Sequence, residues 1–327
     1  MRFRPDPFIV ALVAAAILAS AVPATGESLD VLKVASKISI ALLFFLYGAR
    51  LPTREAITGL KHWRLHASIL TMTFVLFPLL GLTARFLVPE VLTKPLYAGV
   101  LLLCLVPSTV QASVAFTSIA RGNVAGAVVS ASLSNLLGVF ITPLLVVALM
   151  SGTGDAQIDA TSILKIVVQL FLPFVVGQSI RPLIKRWVSK NDSRLRIFDR
   201  SSILLIVYVA FSEGVNAHVW ATLDAPSLIG LVGVCIVLLA LVMSTTVVLG
   251  RVLGFDRADR IALLFCGSKK SLTSGLPMAT VLFAGQGVAL IILPLMIFHQ
   301  IQLIVCAWIA GRLARSDPEG SGAESGD

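Results

Sequence analysis

Apolar residues fall along this chain in long unbroken blocks, not at the period of two or of 3.6 that marks a half-buried strand or a surface helix. Ten such blocks can be traced, at approximately 7–23, 31–50, 65–88, 96–119, 123–150, 162–184, 200–222, 227–250, 260–284 and 287–311. Nine of them match the ~17 to 25 residues of a bilayer-crossing helix, and 123–150 is slightly longer. The longest polar interval, Arg181 to Arg200, is too short for an independent domain, which needs at least ~50 residues. The pattern therefore predicts an all-α polytopic membrane protein with ten transmembrane helices. It leaves no room for a soluble catalytic or nucleic-acid-binding domain, so an enzyme is not expected.

Composition agrees. The 327 residues are 57% hydrophobic and 13% charged, with a mean hydropathy of +0.94; a soluble domain carries about 25% charged residues. The net charge of +9 resolves into an alternation. Most of the 26 Lys and Arg lie before the first block (Arg2, Arg4), after the second (Arg50, Arg54, Lys61, Arg64), after the fourth (Arg121), after the sixth (Arg181 to Arg200), after the eighth (Arg251, Arg257, Arg260) and at the end (Arg312, Arg315). The other connections carry Glu27 and Asp30, Glu90 with Lys94, Asp155 and Asp159, then Asp224. By the positive-inside rule both termini are cytoplasmic and the protein sits in the cytoplasmic membrane, with the bilayer and not nucleic acid as its partner. Residues 1–26 also resemble a secretory signal ending at Ala19-Ser20-Ala21. Retention is the preferred reading, because a count of ten divides into two fives.

With an odd number of helices in each half, the second half enters the membrane inverted, a construction common among secondary transporters. The expected units are a first five-helix repeat over 1–150, an inverted second repeat over 151–315 and a disordered cytoplasmic tail over 316–327. A faint echo links the ends of the fourth and ninth blocks, Ala-Arg-Gly-Asn-Val-Ala at 120–125 and Ala-Gly-Gln-Gly-Val-Ala at 284–289.

The fourth and ninth blocks also hold polar atoms where hydrocarbon is expected. The fourth reads Val106-Pro107-Ser108-Thr109-Val110-Gln111-Ala112-Ser113, with a proline that removes a backbone donor. The ninth reads Gly267-Ser268-Lys269-Lys270-Ser271-Leu272-Thr273-Ser274-Gly275-Leu276-Pro277. Interrupted segments at matching places in two halves point to a midplane binding site. Ser108, Thr109, Gln111, Ser113, Ser268, Lys269, Lys270, Ser271 and Thr273 are therefore candidate substrate- or ion-binding residues. Close packing by small residues is an equal reading for Ser130, Ser132 and Ser134, but not for two lysines, each costing about 2.5–3.5 kcal/mol at the bilayer centre. Glu213, the carboxylate inside the seventh block, is the candidate counter-charge; Asn135 and His299 are further candidates. Cys104, Cys235, Cys266 and Cys306 have no paired spacing, so neither a disulfide framework nor a metal site is expected, and no cofactor.

Phe45-Leu46-Tyr47-Gly48-Ala49-Arg50-Leu51, the Pro107 segment running into Ala120-Arg121-Gly122-Asn123, and Gly267-Ser268-Lys269-Lys270-Ser271-Leu272 resemble the bile acid:sodium symporter family, in the branch of the seventh member of solute carrier family 10. The resemblance implies ten helices in two inverted repeats, a panel and a core domain, with discontinuous helices four and nine crossing in the core. Classical members couple an organic anion to sodium. Their sodium ligands fall on Ser113 and Val114, on Ala127 and Ala131 beside Ser130 and Ser132, and on Ser268 and Leu272. Ser113 and Ser130 are thus the remaining sodium candidates. The resemblance implies a secondary transporter of small organic anions with altered or absent sodium coupling, the coupling ion being proton or sodium. A cation/proton antiporter and a regulatory protein of calcium homeostasis are the alternatives. At least one lysine is expected to replace the cation, held by Ser113, Gln111 and Glu213, on a segment unwound by Gly267, Gly275 and Pro277.

Overall fold

A computed structural model describes residues 7–50, 62–150, 160–283 and 287–315. Arg2, Arg4, Arg54, Lys61, Asp155, Asp159, the 284–286 turn and the tail at 316–327 lie outside the described residues. Every regular element among the described residues is helical. The first blocks become α1 (Pro7–Ala21), α2 (Gly26–Arg50) and α3 (Trp63–Leu87). The fourth block is two helices, α4 (Lys94–Leu105) and α5 (Val110–Ile119), bent by 63°. Then come α6 (Val124–Met150), α7 (Ala160–Lys190), α8 (Asp192–Asn216) and α9 (Ala225–Val252). The ninth block is again divided, into α10 (Arg257–Gly267) and α11 (Leu272–Leu282), before α12 (Val288–Arg315).

Helices α3, α6, α9 and α12 are each long and apolar enough to cross a membrane, and the bent α4–α5 pair passes the same test as a fifth span. Large apolar side chains stand exposed on the outside, among them Ile17, Ile38, Leu144, Val237 and Ile304. Such a surface is unfavourable in water and suited to lipid.

Local chemistry sets the breaks. Val106 precedes Pro107, which disfavours helical backbone, and takes φ −75°, ψ 155°. In the ninth block the unwound residues are 268–271. Helix restarts where Ser271 caps α11, its hydroxyl accepting from Ser274 N–H. Gly275 and Pro277, expected to unwind the segment, lie instead inside α11. Gly275 is there for contact, since a Cβ would sit 2.5 Å from Leu295 Cδ2. Pro277 cannot donate to the carbonyl four residues back, Thr273, and that oxygen accepts from Tyr47 Oη at 3.2 Å. In α3 a π-turn at Met72–Leu76 precedes Pro78, where the missing N–H and the ring disturb the ladder. The supposed Arg181–Arg200 loop is also a correction. It is helical on both sides of Asn191, because its charged residues are good helix formers and Pro182 does not stop α7.

Two groups emerge. Helices α1, α2, α7 and α8 pack mainly on one another, and α3 to α6 pack with α9 to α12. Within the first group α2 and α7 touch backbone to backbone: a Cβ at Gly48 would lie 2.1 Å from Phe174 O, and one at Gly177 would lie 2.0 Å from Phe45 O. The basic helix ends meet on one face. Arg50 pairs with Asp199, Arg64 donates to Leu253 O, Asn123 to Asp259 and Arg257 to Leu313 O.

Candidate functional site

The two breaks bond to each other. Ser271 N–H donates to Pro107 O at 2.8 Å, and Thr109 Oγ1 to Lys270 O at 2.9 Å. Ser108 Oγ donates to Cys266 O at 2.7 Å and Ser113 Oγ to Phe265 O at 3.1 Å. Position 107 meets 271 at one end of this set and 113 meets 265 at the other, so the segments pass in opposite directions. Asn135 on α6 bridges them, donating to Ser108 O at 2.7 Å and accepting from Ser274 Oγ at 2.9 Å.

Four half-helix ends therefore converge, and they are treated differently. Side chains bond several carbonyls at the ends of α4 and α10. Ser268 Oγ returns to Leu264 O, Ser108 and Ser113 take the next two carbonyls of α10, and Thr142 Oγ1 donates to Leu105 O at 2.8 Å. Lys270 Nζ donates to Thr73 O at 2.9 Å, Cys104 O at 2.9 Å and Val106 O at 2.8 Å, under the face of the Phe77 ring at 4.1 Å. Thr73 O belongs to the π-turn of α3. Lys269 points the other way, to Ala112 O at 2.9 Å and the Phe116 ring at 3.8 Å. Both lysines are wholly buried.

The amide end of α5 has no side-chain cap, and the Thr109 hydroxyl donates to Lys270 O. It opens with the first turn of α11 onto a cavity of about 560 Å3 between the two helix groups. Thr109, Gln111, Asn135, Ser271, Thr273 and His299 line it. Its walls are apolar (Phe44, Phe116, Phe174, Met278), and toward the basic face it is lined by Arg50, Arg196, Asp199 and Arg200. Helix amide ends and guanidinium groups both favour a negative charge, and the walls suit an apolar body.

Of the other sequence candidates, Ser108, Ser113, Ser268, Lys269 and Lys270 lie behind this wall, in the crossing itself. Glu213 stands apart, 2.9 Å from Lys33 on α2. The lysines are thus held not by Ser113, Gln111 and Glu213 but by backbone carbonyls and aromatic faces. For Lys270 a carboxylate within ion-pairing distance is unnecessary, because carbonyl dipoles at the end of α4 already favour a cation; the Lys269 ammonium has a single carbonyl and the Phe116 ring. Ser130 bonds His66 Nδ1 at 2.7 Å, so its hydroxyl, like that of Ser113, has a protein partner. Among the described residues no cluster of three or more His, Cys, Asp or Glu could hold a metal ion.

Sequence reasoning missed three contributors. Gln302 is fully buried and grips the backbone of residue 270 on both sides, accepting from Lys270 N–H at 3.0 Å and donating to Lys270 O at 2.9 Å and toward His299 Nδ1 at 2.8 Å. Its place three residues after His299, on the same helix face, was the available signal. Thr73 and the Arg50–Asp199 pair gave none, since a released carbonyl and a contact across 149 positions leave no local mark.

Comparisons with known proteins agree with this architecture. The chain is 49% identical over 322 residues to protein PA2026 of Pseudomonas aeruginosa, covering 98% of this chain and 97% of that one. It is 47% identical over 310 residues to the Escherichia coli protein named "Putative symporter YfeH", covering 95% and 93%. Against sodium/bile acid cotransporter 7 of Rattus norvegicus it is 31% identical over 320 residues, covering 93% and 91%. Helices apolar enough to span a bilayer, one of them a bent pair that meets a second broken segment at a polar crossing, accompany a match over residues 6–315, and the chain belongs to the SBF-like CPA transporter family, a family of membrane transporters and not of enzymes.

Proposed function

We propose that this protein is a secondary transporter of small organic anions, working by alternating access from the cavity between the two helix groups. The observation that carries the reading is the cavity itself. An uncapped helix amide end, Arg50, Arg196 and Arg200, and apolar side chains all line it. An anion with a hydrocarbon body satisfies all three. The ten helices are read as two inverted five-helix repeats, 1–150 and 151–315, followed by a cytoplasmic tail. In support, the breaks occupy the fourth member of each half, and each packing group draws equivalent members from both. The protein is placed in the cytoplasmic membrane with both termini inside, which makes the basic face cytoplasmic and the cavity inward-facing.

Uptake is expected without a sodium requirement. The positions that the family's other oxygen ligands would take hold Val114, Ala127, Ala131 and Leu272, which offer no side-chain oxygen, and the positive charges at the crossing are covalently attached. A cation/proton antiporter would need an exchanging carboxylate in the cavity; Asp199 is there, but one of its oxygens is held by Arg50. Proteoliposome uptake of a panel of labelled carboxylates and sulfonates tests the proposal, with sodium replaced by choline. Saturable uptake of an organic anion, undiminished in choline and weakened by Arg200→Gln, is the expected result. Absence of flux for every anion, or flux that vanishes in choline, overturns it.

A further inference from the structure

We propose that the three carbonyl oxygens around Lys270 Nζ form a binding site for a small monovalent cation, which the chain fills with its own ammonium group. An ammonium has three N–H donors, and here each has one acceptor: Thr73 O, Cys104 O and Val106 O. The Phe77 face lies on the same charge, adding the attraction of its π-electrons. None of the ion pairs among the described residues includes Lys270. Its charge is therefore met by carbonyl dipoles and an aromatic face.

Such a cage is specific in kind. Neutral carbonyl oxygens replace the hydration shell of a monovalent ion in carbonyl-lined filters, whereas divalent ions collect carboxylates as well. Two of the three oxygens stand at the negative end of α4, and the third is released by the π-turn. None depends on the lysine for its direction. Pro107 fixes the break after Val106, Thr142 anchors Leu105, and the turn in α3 is set by Pro78. The lysine is presented to them from a backbone that Gln302 and Thr109 hold in place on both sides of its Cα. Removing the amine alone should leave an oriented, electronegative hollow that a free ion of ammonium size can enter.

This inference rests on the geometry of the crossing and not on the transport reading, so either can fail alone. The test is thermal unfolding of the purified full chain, wild type and Lys270→Ala. The chlorides of potassium, sodium, ammonium and methylammonium are compared with choline chloride at equal ionic strength. Wild type should unfold at the same temperature in all five. Lys270→Ala should unfold earlier in choline and recover saturably in at least one small cation, by about 3 °C when that cation is at ten times its dissociation constant. Equal insensitivity of the variant, equal recovery in choline, or the same recovery in wild type overturns the proposal. Should Lys270→Ala not fold in any of the salts, Lys270→Gln takes its place. Its neutral amide leaves the hollow without charge, and the same cation-dependent rise is expected; its absence counts against the site.

Discussion

Gln302 and Gln300 sit two residues apart on α12, and replacing each by leucine should give opposite results. The Gln302 side chain accepts from one peptide N–H and donates to one peptide oxygen, both of residue 270, besides its contact with His299. Leucine, of similar size, keeps the packing and removes all three. Lys270 O retains the hydroxyl of Thr109, so the main loss is the Lys270 N–H, buried with no acceptor. An unsatisfied buried donor costs about 1–3 kcal/mol, and the two further hydrogen bonds contribute about 0.5–1.5 kcal/mol each. A total of roughly 3 kcal/mol lowers the unfolding temperature by at least about 5 °C on the scale of large domains. At Gln300 the buried amide nitrogen has no hydrogen-bond partner, so leucine removes an existing penalty and should leave stability within about 0.5 kcal/mol of wild type, or raise it. Thermal unfolding of the purified protein in one detergent decides the matter. Equal loss in both variants, or none in Gln302→Leu, would refute the claim that this side chain holds the unwound segment.

Gly177→Ala forces a methyl group to 2.0 Å from the Phe45 carbonyl oxygen; it should destabilise by about 2–3 kcal/mol, and adding Gly48→Ala should cost less than the sum, as unfolding of the single and double variants will show. For orientation, a cysteine at Glu90 should react with an impermeant thiol reagent on intact cells, while one at Lys190 should react only after permeabilisation. The reverse pattern would turn the proposed topology over.

Much of the architecture was legible because lipid imposes a crude rule, that backbone donors and acceptors be satisfied within each segment. Ten apolar blocks and two polar interruptions follow from it. The Pro107 break was visible for the same reason, a missing donor. What stayed hidden depends on atoms the sequence does not display. No pattern tells that Pro277 lies inside a helix and frees Thr273 O for Tyr47, or that a π-turn in α3 frees Thr73 O for Lys270. The charges of Lys269 and Lys270 announce an unusual environment. Residue types point to carboxylates and hydroxyls as their partners, while the structure supplies main-chain oxygens, which every residue carries and no residue type reveals. Glu213 stands out as the carboxylate within an apolar block, and its lysine is Lys33, near the start of α2, where a block boundary conceals it.

The glycine contact between α2 and α7 has a mechanical consequence. Two backbones in van der Waals contact cannot slide past each other without lifting apart, and α2 is also pinned to α8 near both ends, by Lys33–Glu213 and Arg50–Asp199. This side of the molecule is therefore stiff, and any large displacement must occur along the seam where it meets the other helices. The hydrogen bond from Tyr47 to Thr273 O, which crosses that seam, is a long one. Much of the remaining surface there is apolar, and apolar surfaces exchange neighbours at little cost because no directional bond is broken. On the proposed transport reading, a stiff group beside a slippery seam would let one helix group travel against the other as a block while the polar crossing, with its many fixed bonds, is carried intact.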